Sequence, residues 1–164
     1  LLLARDPELD VFEAAALGRQ DALRRALRED PSRVAARAGD GFTPLHLASY
    51  FGHVDSVDLL IDSGADVNVP ADNPSEVRPL HSAAAGGSTE IVELLLRTGA
   101  SVNARQVGGH TALHQAAQAG LRDMARRLLD HGGDPDLGND DGHSPLDLAR
   151  EAGHEDLVAL LEGS

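Results

Sequence analysis

The chain has 164 residues, of which 41% are hydrophobic but only 2% are aromatic, so its core must be built mainly from Ala, Leu and Val. A formal net charge of −13 repels phosphate backbones and anionic lipid surfaces, which argues against a nucleic-acid or membrane partner. No segment approaches the roughly 18 uninterrupted apolar residues of a membrane span. The absence of cysteine excludes disulfides, thiolate metal sites and cysteine nucleophiles. The first residue is not Met, which leaves room for an upstream segment.

A four-residue motif recurs along the chain at a nearly constant period. The segment TPLH begins at Thr43 and returns as RPLH from Arg78, TALH from Thr111 and SPLD from Ser144, at offsets of 35, 33 and 33 residues. Each copy predicts a short helix of small residues that ends near a glycine, followed by a second apolar helix. Residues 10–39 carry a degenerate version of this pattern, FEAAALGRQDALRRAL, ahead of the first full copy.

The loops that close three of these units are also alike, with the sequences GADVN, GASVN and GGDPD. Because several positions recur together at one period, the chain resembles the ankyrin-repeat family over nearly its whole length. The resemblance implies an all-α solenoid that forms a single domain over residues 1–164. It would have five helix-turn-helix repeats joined by hairpin-like loops, with the first and last repeats acting as caps. The repeats are expected at approximately residues 10–39, 40–72, 73–105, 106–138 and 139–164.

Residue chemistry predicts how each unit begins and ends. The Thr43 hydroxyl can accept a backbone N–H in the first turn of its helix, and Pro44 suits the first helical position. Arg78 stands at the corresponding position of the third repeat and cannot cap in this way, so that repeat is expected to begin less firmly. The glycine that opens each closing loop is expected just past a helix end, where φ is often positive.

The histidines raise the question of a metal site. His46, His81 and His114 occupy the fourth position of the motif, where the resemblance implies structural hydrogen bonds. His110 and His143 lie at loop tips one period apart and could stand side by side on adjacent repeats. A metal site would need a third ligand, and no residue at a fixed spacing supplies one. We therefore predict no metal and no cofactor, with a small-molecule or metal site at His110 and His143 as an open alternative.

No motif of catalysis accompanies the repeats. The acidic stretch after Asp134 has Gly138 at the fifth position and Asn139 at the sixth, so it fails the pattern of a calcium loop. Gly108 and Gly109 lack the lysine or third spaced glycine of a phosphate loop, and no nucleophile elbow is present. The sequence therefore gives no support to an enzyme.

Three of the four aromatic residues fall within one short stretch, DGFTPLHLASYFGH at 40–53. Phe42 lies at the loop tip of its repeat, and Tyr50 and Phe51 lie late in its first helix. In proteins that this chain resembles, these exposed positions contact partners, so we expect the aromatics to bind a protein or peptide on the concave face. The predicted partner-binding residues are Phe42, Tyr50, Phe51, Val77, His110, Gln118 and His143.

The surroundings of the aromatic residues leave two interpretations open. Small side chains at Ala85, Gly86 and Ala119 would leave a shallow groove beside them, which favours partner binding. Alternatively, the leucine-rich residues 1–9 could fold back over them, in which case the aromatics would serve internal packing.

Charge is distributed unevenly and bears on the kind of partner. Residues 1–39 hold seven acids and seven arginines, whereas residues 40–164 hold twenty acids and seven arginines, a net charge of −13. A basic protein or peptide therefore fits the acidic part of the array. The predicted function is non-catalytic protein recognition, with a regulatory or inhibitory (immunity-type) subunit of a neighbouring enzyme as the alternative. We expect a cytoplasmic monomer, since both ends of the array look capped.

Overall fold

The computed structural model describes residues 8–164, which form ten α-helices arranged as five consecutive helix-turn-helix pairs with no strand among them. The pairs are α1 (Val11–Ala16) and α2 (Gln20–Glu29), α3 (Pro44–Tyr50) and α4 (Val54–Asp62), α5 (Pro79–Gly86) and α6 (Thr89–Arg97), α7 (Ala112–Ala119) and α8 (Arg122–Asp130), and α9 (Pro145–Ala152) and α10 (Glu155–Glu162). Short 3-10 helices span Pro31–Ala35 and Val107–Gly109. The all-α repeat architecture predicted from the sequence is confirmed.

The ten helices form two layers. The first helices of the pairs, α1, α3, α5, α7 and α9, pack side by side as a first layer, and the second helices pack in the same order as a second layer. Contacts therefore link neighbouring repeats within each layer, as expected for a solenoid. Among residues 8–164, no helix is both long enough and apolar enough to cross a lipid bilayer.

A glycine follows the first helix of every pair, and the five pairs can be aligned on it. These register glycines are Gly18, Gly52, Gly87, Gly120 and Gly153, with φ between 65° and 79°. Equivalent positions in different repeats can therefore be identified by their distance from this glycine. The glycines of the closing loops, Gly64, Gly99 and Gly132, have φ of 94°, 104° and 90°, which confirms the predicted left-handed conformation.

Small side chains allow the first-layer helices to approach closely. Alanine occupies the position four residues before the register glycine in every repeat, and each of these alanines is fully buried. They are Ala14, Ala48, Ala83, Ala116 and Ala149. A methyl group fills little space between helix axes, so the backbones of neighbouring repeats can pack at short range.

Helices α3 and α5 of the first layer make a close backbone contact at Gly86. A Cβ atom added to Gly86 would overlap the carbonyl oxygen of Tyr50, which is a backbone atom that cannot rotate away. Glycine is required at position 86 by the close approach of the two helices and not by its backbone conformation, because the φ of Gly86 lies outside the left-handed region.

The motif histidines connect each repeat to the next. At His46, Nδ1 accepts the Thr43 N–H (3.2 Å) and Nε2–H donates to the Val77 carbonyl (2.8 Å) in the following repeat. His81 likewise joins the Arg78 N–H (3.1 Å) to the Ala104 carbonyl (3.0 Å). His114 repeats the arrangement, so the structural hydrogen bonds expected for these histidines are confirmed.

The helix starts differ in detail from the expectation. The Thr43 hydroxyl oxygen lies 2.8 Å from Nδ1 of His46, so the hydroxyl donates to the ring instead of serving mainly as a backbone cap. Ser144 does accept the Asp147 N–H at 3.1 Å. Arg78 has no acceptor atom and its guanidinium donates to the Arg105 carbonyl (2.9 Å) across the next loop. The start of its repeat is held by the histidine ring instead.

Burial keeps these rings neutral. It lowers the pKa of His46 and of His81 to about 4, and it also lowers the pKa of His114. A neutral ring is required by the bonding pattern, since Nδ1 can accept an N–H only when it carries no proton.

Acidification from about pH 7 to about pH 5 should lower the free energy of unfolding by roughly 2 kcal/mol for each of His46 and His81. In the unfolded chain, where the pKa is near 6.5, histidine takes up a proton over this range, whereas the folded ring with a pKa of about 4 does not. Urea denaturation at each pH measures the loss.

The variant His81→Gln removes one titrating group, so its unfolding free energy should fall less than the native value over the same pH range. The exposed Gln118 offers a control, and Gln118→Asn, which removes no titrating group, should keep the native pH dependence. Equal pH dependence in native protein and His81→Gln would contradict the prediction.

Gly86→Ala should destabilise the protein by about 1–3 kcal/mol, because α3 and α5 must move apart to admit the methyl group. Helix propensity alone predicts the opposite sign, a gain of up to about 1 kcal/mol, so the direction of the change is decisive. Gly39→Ala serves as the control, since no atom lies within 4 Å of its added Cβ. Thermal and urea unfolding of both variants test the prediction.

Candidate functional site

An apolar groove of about 420 Å³ opens on the first layer between α3 and α5. It runs from the loop tip before α3 to the end of that helix, and we call it the α3–α5 groove. Four of the seven predicted partner-binding residues line it, namely Phe42, Tyr50, Phe51 and Val77. The groove therefore lies where the sequence placed the aromatic cluster.

Two of the aromatic side chains form an exposed wall of the groove. Tyr50 is 50% exposed and Phe51 is 53% exposed, and their rings meet edge to face with centroids 5.2 Å apart. Phe42 is half-buried and tilts against His46 at a centroid distance of 5.5 Å. The wall thus presents two large rings to solvent, while the third ring is partly used in packing.

The groove exists because equivalent positions differ in size between repeats. Tyr50 lies two residues before its register glycine, and the same position in the next repeat is Ala85, which lines the groove. The change from an aromatic ring to a methyl group leaves open space beside the ring. Gly86, which holds the position equivalent to Phe51, does not line the groove and packs against the Tyr50 carbonyl.

Leu47, Ser82 and Gln115 line the groove although sequence reasoning missed them. All three lie five residues before a register glycine, in α3, α5 and α7. Aligning the repeats on these glycines would have identified the position. Leu17 precedes its register glycine as Phe51 does and is 59% exposed, but it lies outside the groove lining.

The other three predicted residues lie farther along the array and do not line the groove. His110 packs its ring against His114, with centroids 5.3 Å apart, and its Nε2 lies 3.3 Å from Nδ2 of Asn139. His143 is exposed, with Nε2 3.9 Å from the Glu151 carboxylate. Gln118 is exposed at the end of α7.

Asn139 lies between the two loop-tip histidines. Its side-chain amide contacts the His110 ring, and its Oδ1 accepts the backbone N–H of His143 at 2.9 Å. Within residues 8–164, no group of three or more His, Cys, Asp or Glu side chains is placed to hold a metal ion.

The covering of the aromatics by residues 1–9 concerns mainly residues 1–7, which lie outside the described residues. Of the remainder, Leu9 packs against the hydrophobic core and lines a separate pocket with Val11 and Phe12.

Comparison with known proteins decides the family. A family model described as ankyrin repeats (3 copies) matches residues 11–106 and also residues 80–163. The chain belongs to the ankyrin-repeat family. Ankyrin repeats generally act as protein–protein interaction modules, which agrees with the broad function expected from the sequence.

Several curated proteins are similar to part of this ankyrin chain. Human ankyrin repeat domain-containing protein 49 is 42% identical over 66 residues, 40% of this chain and 28% of that protein. Human ankyrin repeat and SAM domain-containing protein 3 is 37% identical over 65 residues, 40% of this chain and 10% of that protein. The serine/threonine-protein kinase VIK of Arabidopsis thaliana is 53% identical over 47 residues, 29% of this chain and 11% of the kinase. The matched region thus covers less than a third of each relative.

The double variant Tyr50→Ser/Phe51→Ser should lower the free energy of unfolding of the ankyrin array by no more than about 1.5 kcal/mol, because half of each side chain is already in water. The fully buried neighbour Leu45 provides the contrast, since Leu45→Ala should cost about 2–5 kcal/mol. Urea denaturation of both variants gives the comparison. A loss in the double variant as large as that in Leu45→Ala would identify the aromatics as packing residues.

Proposed function

We propose that the protein binds a protein or peptide partner in the α3–α5 groove, on the concave face of its ankyrin array, and that it carries out no catalysis. The observation behind the proposal is the exposed pair of Tyr50 and Phe51 beside an apolar groove. Exposed aromatic residues next to a pocket are typical of binding hot spots, because a partner can desolvate a large rigid surface there.

The chemistry of the groove favours recognition over catalysis. His46 and His81 are the histidines that line it, and both ring nitrogens of each are bonded to backbone groups. Neither ring therefore has a free nitrogen to serve as a general base, and the Thr43 hydroxyl that donates to His46 is buried, out of reach of a substrate.

The net charge of −13 supports a basic partner and argues against nucleic acid. We further propose that the chain is one domain and a cytoplasmic monomer. In the inhibitory alternative the partner is a neighbouring enzyme that the array covers. That alternative uses the same groove and differs only in what happens to the partner's activity.

Photocrosslinking from inside the groove tests the function. A photoreactive phenylalanine analogue replaces Ala85, and the protein is incubated with lysate of the producing cells before irradiation and mass spectrometry. We expect a specific crosslinked protein that is lost when Tyr50→Ser/Phe51→Ser is combined with the analogue. If that protein is an enzyme, its activity with and without the array decides the inhibitory alternative.

Leu17→Ser is the matched control for the crosslinking experiment. Leu17 is 59% exposed, has the same size as Leu47 of the groove, and does not line the groove. Its replacement by Ser should therefore leave the crosslink unchanged. Identical crosslinks from the native background and from Tyr50→Ser/Phe51→Ser would refute the proposed function.

A further inference from the structure

We infer that the segment bound in the α3–α5 groove carries a bulky apolar residue flanked by Lys or Arg. The inference rests on the proposed function and adds the chemistry of the partner. It comes from where ionised side chains lie around the groove and from which of them already have partners.

The floor of the groove carries no charge. Helices α3, α5 and α7 have the sequences PLHLASY, PLHSAAAG and ALHQAAQA, which contain no Asp, Glu, Lys or Arg. Leu47 and Ala85 supply apolar surface there, next to the exposed rings of Tyr50 and Phe51. A bulky apolar side chain is the complement of this surface, since burying it removes apolar area on both sides from water.

Carboxylates lie at the edges of this uncharged strip. Asp40 lines the groove at the loop tip, and it is exposed. Glu13 is exposed at the position that Leu47 occupies one repeat later, five residues before the register glycine. Each accepts one backbone N–H of its own turn, at 3.2 and 3.1 Å, and a carboxylate retains further acceptor sites after such a bond.

A third carboxylate lies outside the groove, beyond α7 at the far end of the uncharged strip, 3.9 Å from His143 Nε2. Glu151 occupies the position of Tyr50 three repeats later, at the end of α9, and its side chain is 59% exposed. Acidic groups therefore lie on both sides of the apolar strip along the direction in which the repeats stack.

The arginines nearest the groove are bonded to the protein itself. The guanidinium of Arg37 donates to the carbonyls of Gly41 and Pro70 (3.2 and 3.0 Å). Arg78 donates to a carbonyl of the next loop (2.9 Å), and Arg105 pairs with Asp140 (3.0 Å). The bonds to neutral carbonyls hold the guanidinium groups of Arg37 and Arg78 along the loops and leave their charges in place, whereas Arg105 is paired with a carboxylate.

The remaining arginines of the acidic region lie away from this face or are paired. Arg150, in α9, contacts Glu162 at 2.6 Å. The others lie in the second-layer helices α6 and α8. Because these guanidinium groups are held by other bonds, a cation on the partner can pair with Asp40 and Glu13, which is the charge complementarity that selects a basic flank.

Selection from a random 12-residue peptide library displayed on phage tests the inference with the full 164-residue chain as bait. Enriched peptides should contain Leu, Ile, Met or Phe with Lys or Arg within about three residues on either side. Synthetic copies of these peptides should bind the native chain in fluorescence polarisation, and their affinity should fall as salt rises.

Variants then separate the two parts of the recognition. Asp40→Asn/Glu13→Gln keeps the hydrogen-bond acceptors but removes two charges, and it should weaken binding about two- to tenfold at low salt. Glu90→Gln, which removes an exposed charge from the second layer, should leave affinity unchanged. Tyr50→Ser/Phe51→Ser should weaken binding at least about tenfold.

The outcomes distinguish this inference from the function on which it rests. Peptides with neutral or acidic flanks, whose affinity depends on the aromatic pair but not on Asp40 and Glu13, would overturn the basic flank and leave the proposed function intact. Peptides that bind Tyr50→Ser/Phe51→Ser as tightly as the native chain would overturn both.

Two other occupants of the groove would also overturn the inference. Enrichment only after Leu1, Leu2 and Leu3 are replaced by Ser would identify residues 1–7 as the occupant. A concentration-dependent dimer that Tyr50→Ser/Phe51→Ser abolishes would identify a second copy of the chain, and sedimentation velocity measures it.

Discussion

Close packing between neighbouring first-layer helices is the constraint on which the rest of the structure depends. A fully buried alanine in every repeat, and Gly86 between α3 and α5, allow the helix backbones to lie near one another. No single pair of helices buries enough apolar surface to be stable alone, so each repeat depends on its neighbours. Because the backbones are close together, side chains at equivalent positions of neighbouring repeats lie next to one another. A small side chain beside a large one therefore leaves a groove.

The motif histidines convert this stacking into a fixed register. Each ring joins the start of its own first helix to a carbonyl in the loop that leads to the next first helix, so a shift of one repeat against another would break the bond at Nε2. The histidine rings are buried and their nitrogens are already hydrogen-bonded, so they cannot vary without loss of stability. The loop tips and the ends of the first helices are therefore the positions that can differ between repeats. The aromatic wall at Tyr50 and Phe51 is such a difference.

The repeat period was sufficient to predict the helical pairs and the register of the closing-loop glycines, because these depend on local sequence and on the neighbouring repeat. The bonding of the motif histidines was implied by the resemblance to the ankyrin-repeat family. The groove was only partly predictable. Phe42 and Tyr50 could be placed from their positions in the motif, but Leu47 and Ser82 emerge only when the repeats are aligned on their glycines. The roles of His110 and Asn139 depend on loop geometry that the period does not specify.

The overlap that a side chain at Gly86 would create with the Tyr50 carbonyl has a consequence for the kinetics of recognition. The residue that carries one ring of the aromatic wall is held at its backbone by the helix that forms the opposite side of the groove. The backbone of the groove is thus pre-organised, so the protein would lose little backbone conformational entropy when a ligand entered the groove. Ligands of different fit would then associate at similar rates and differ mainly in how long they stay bound.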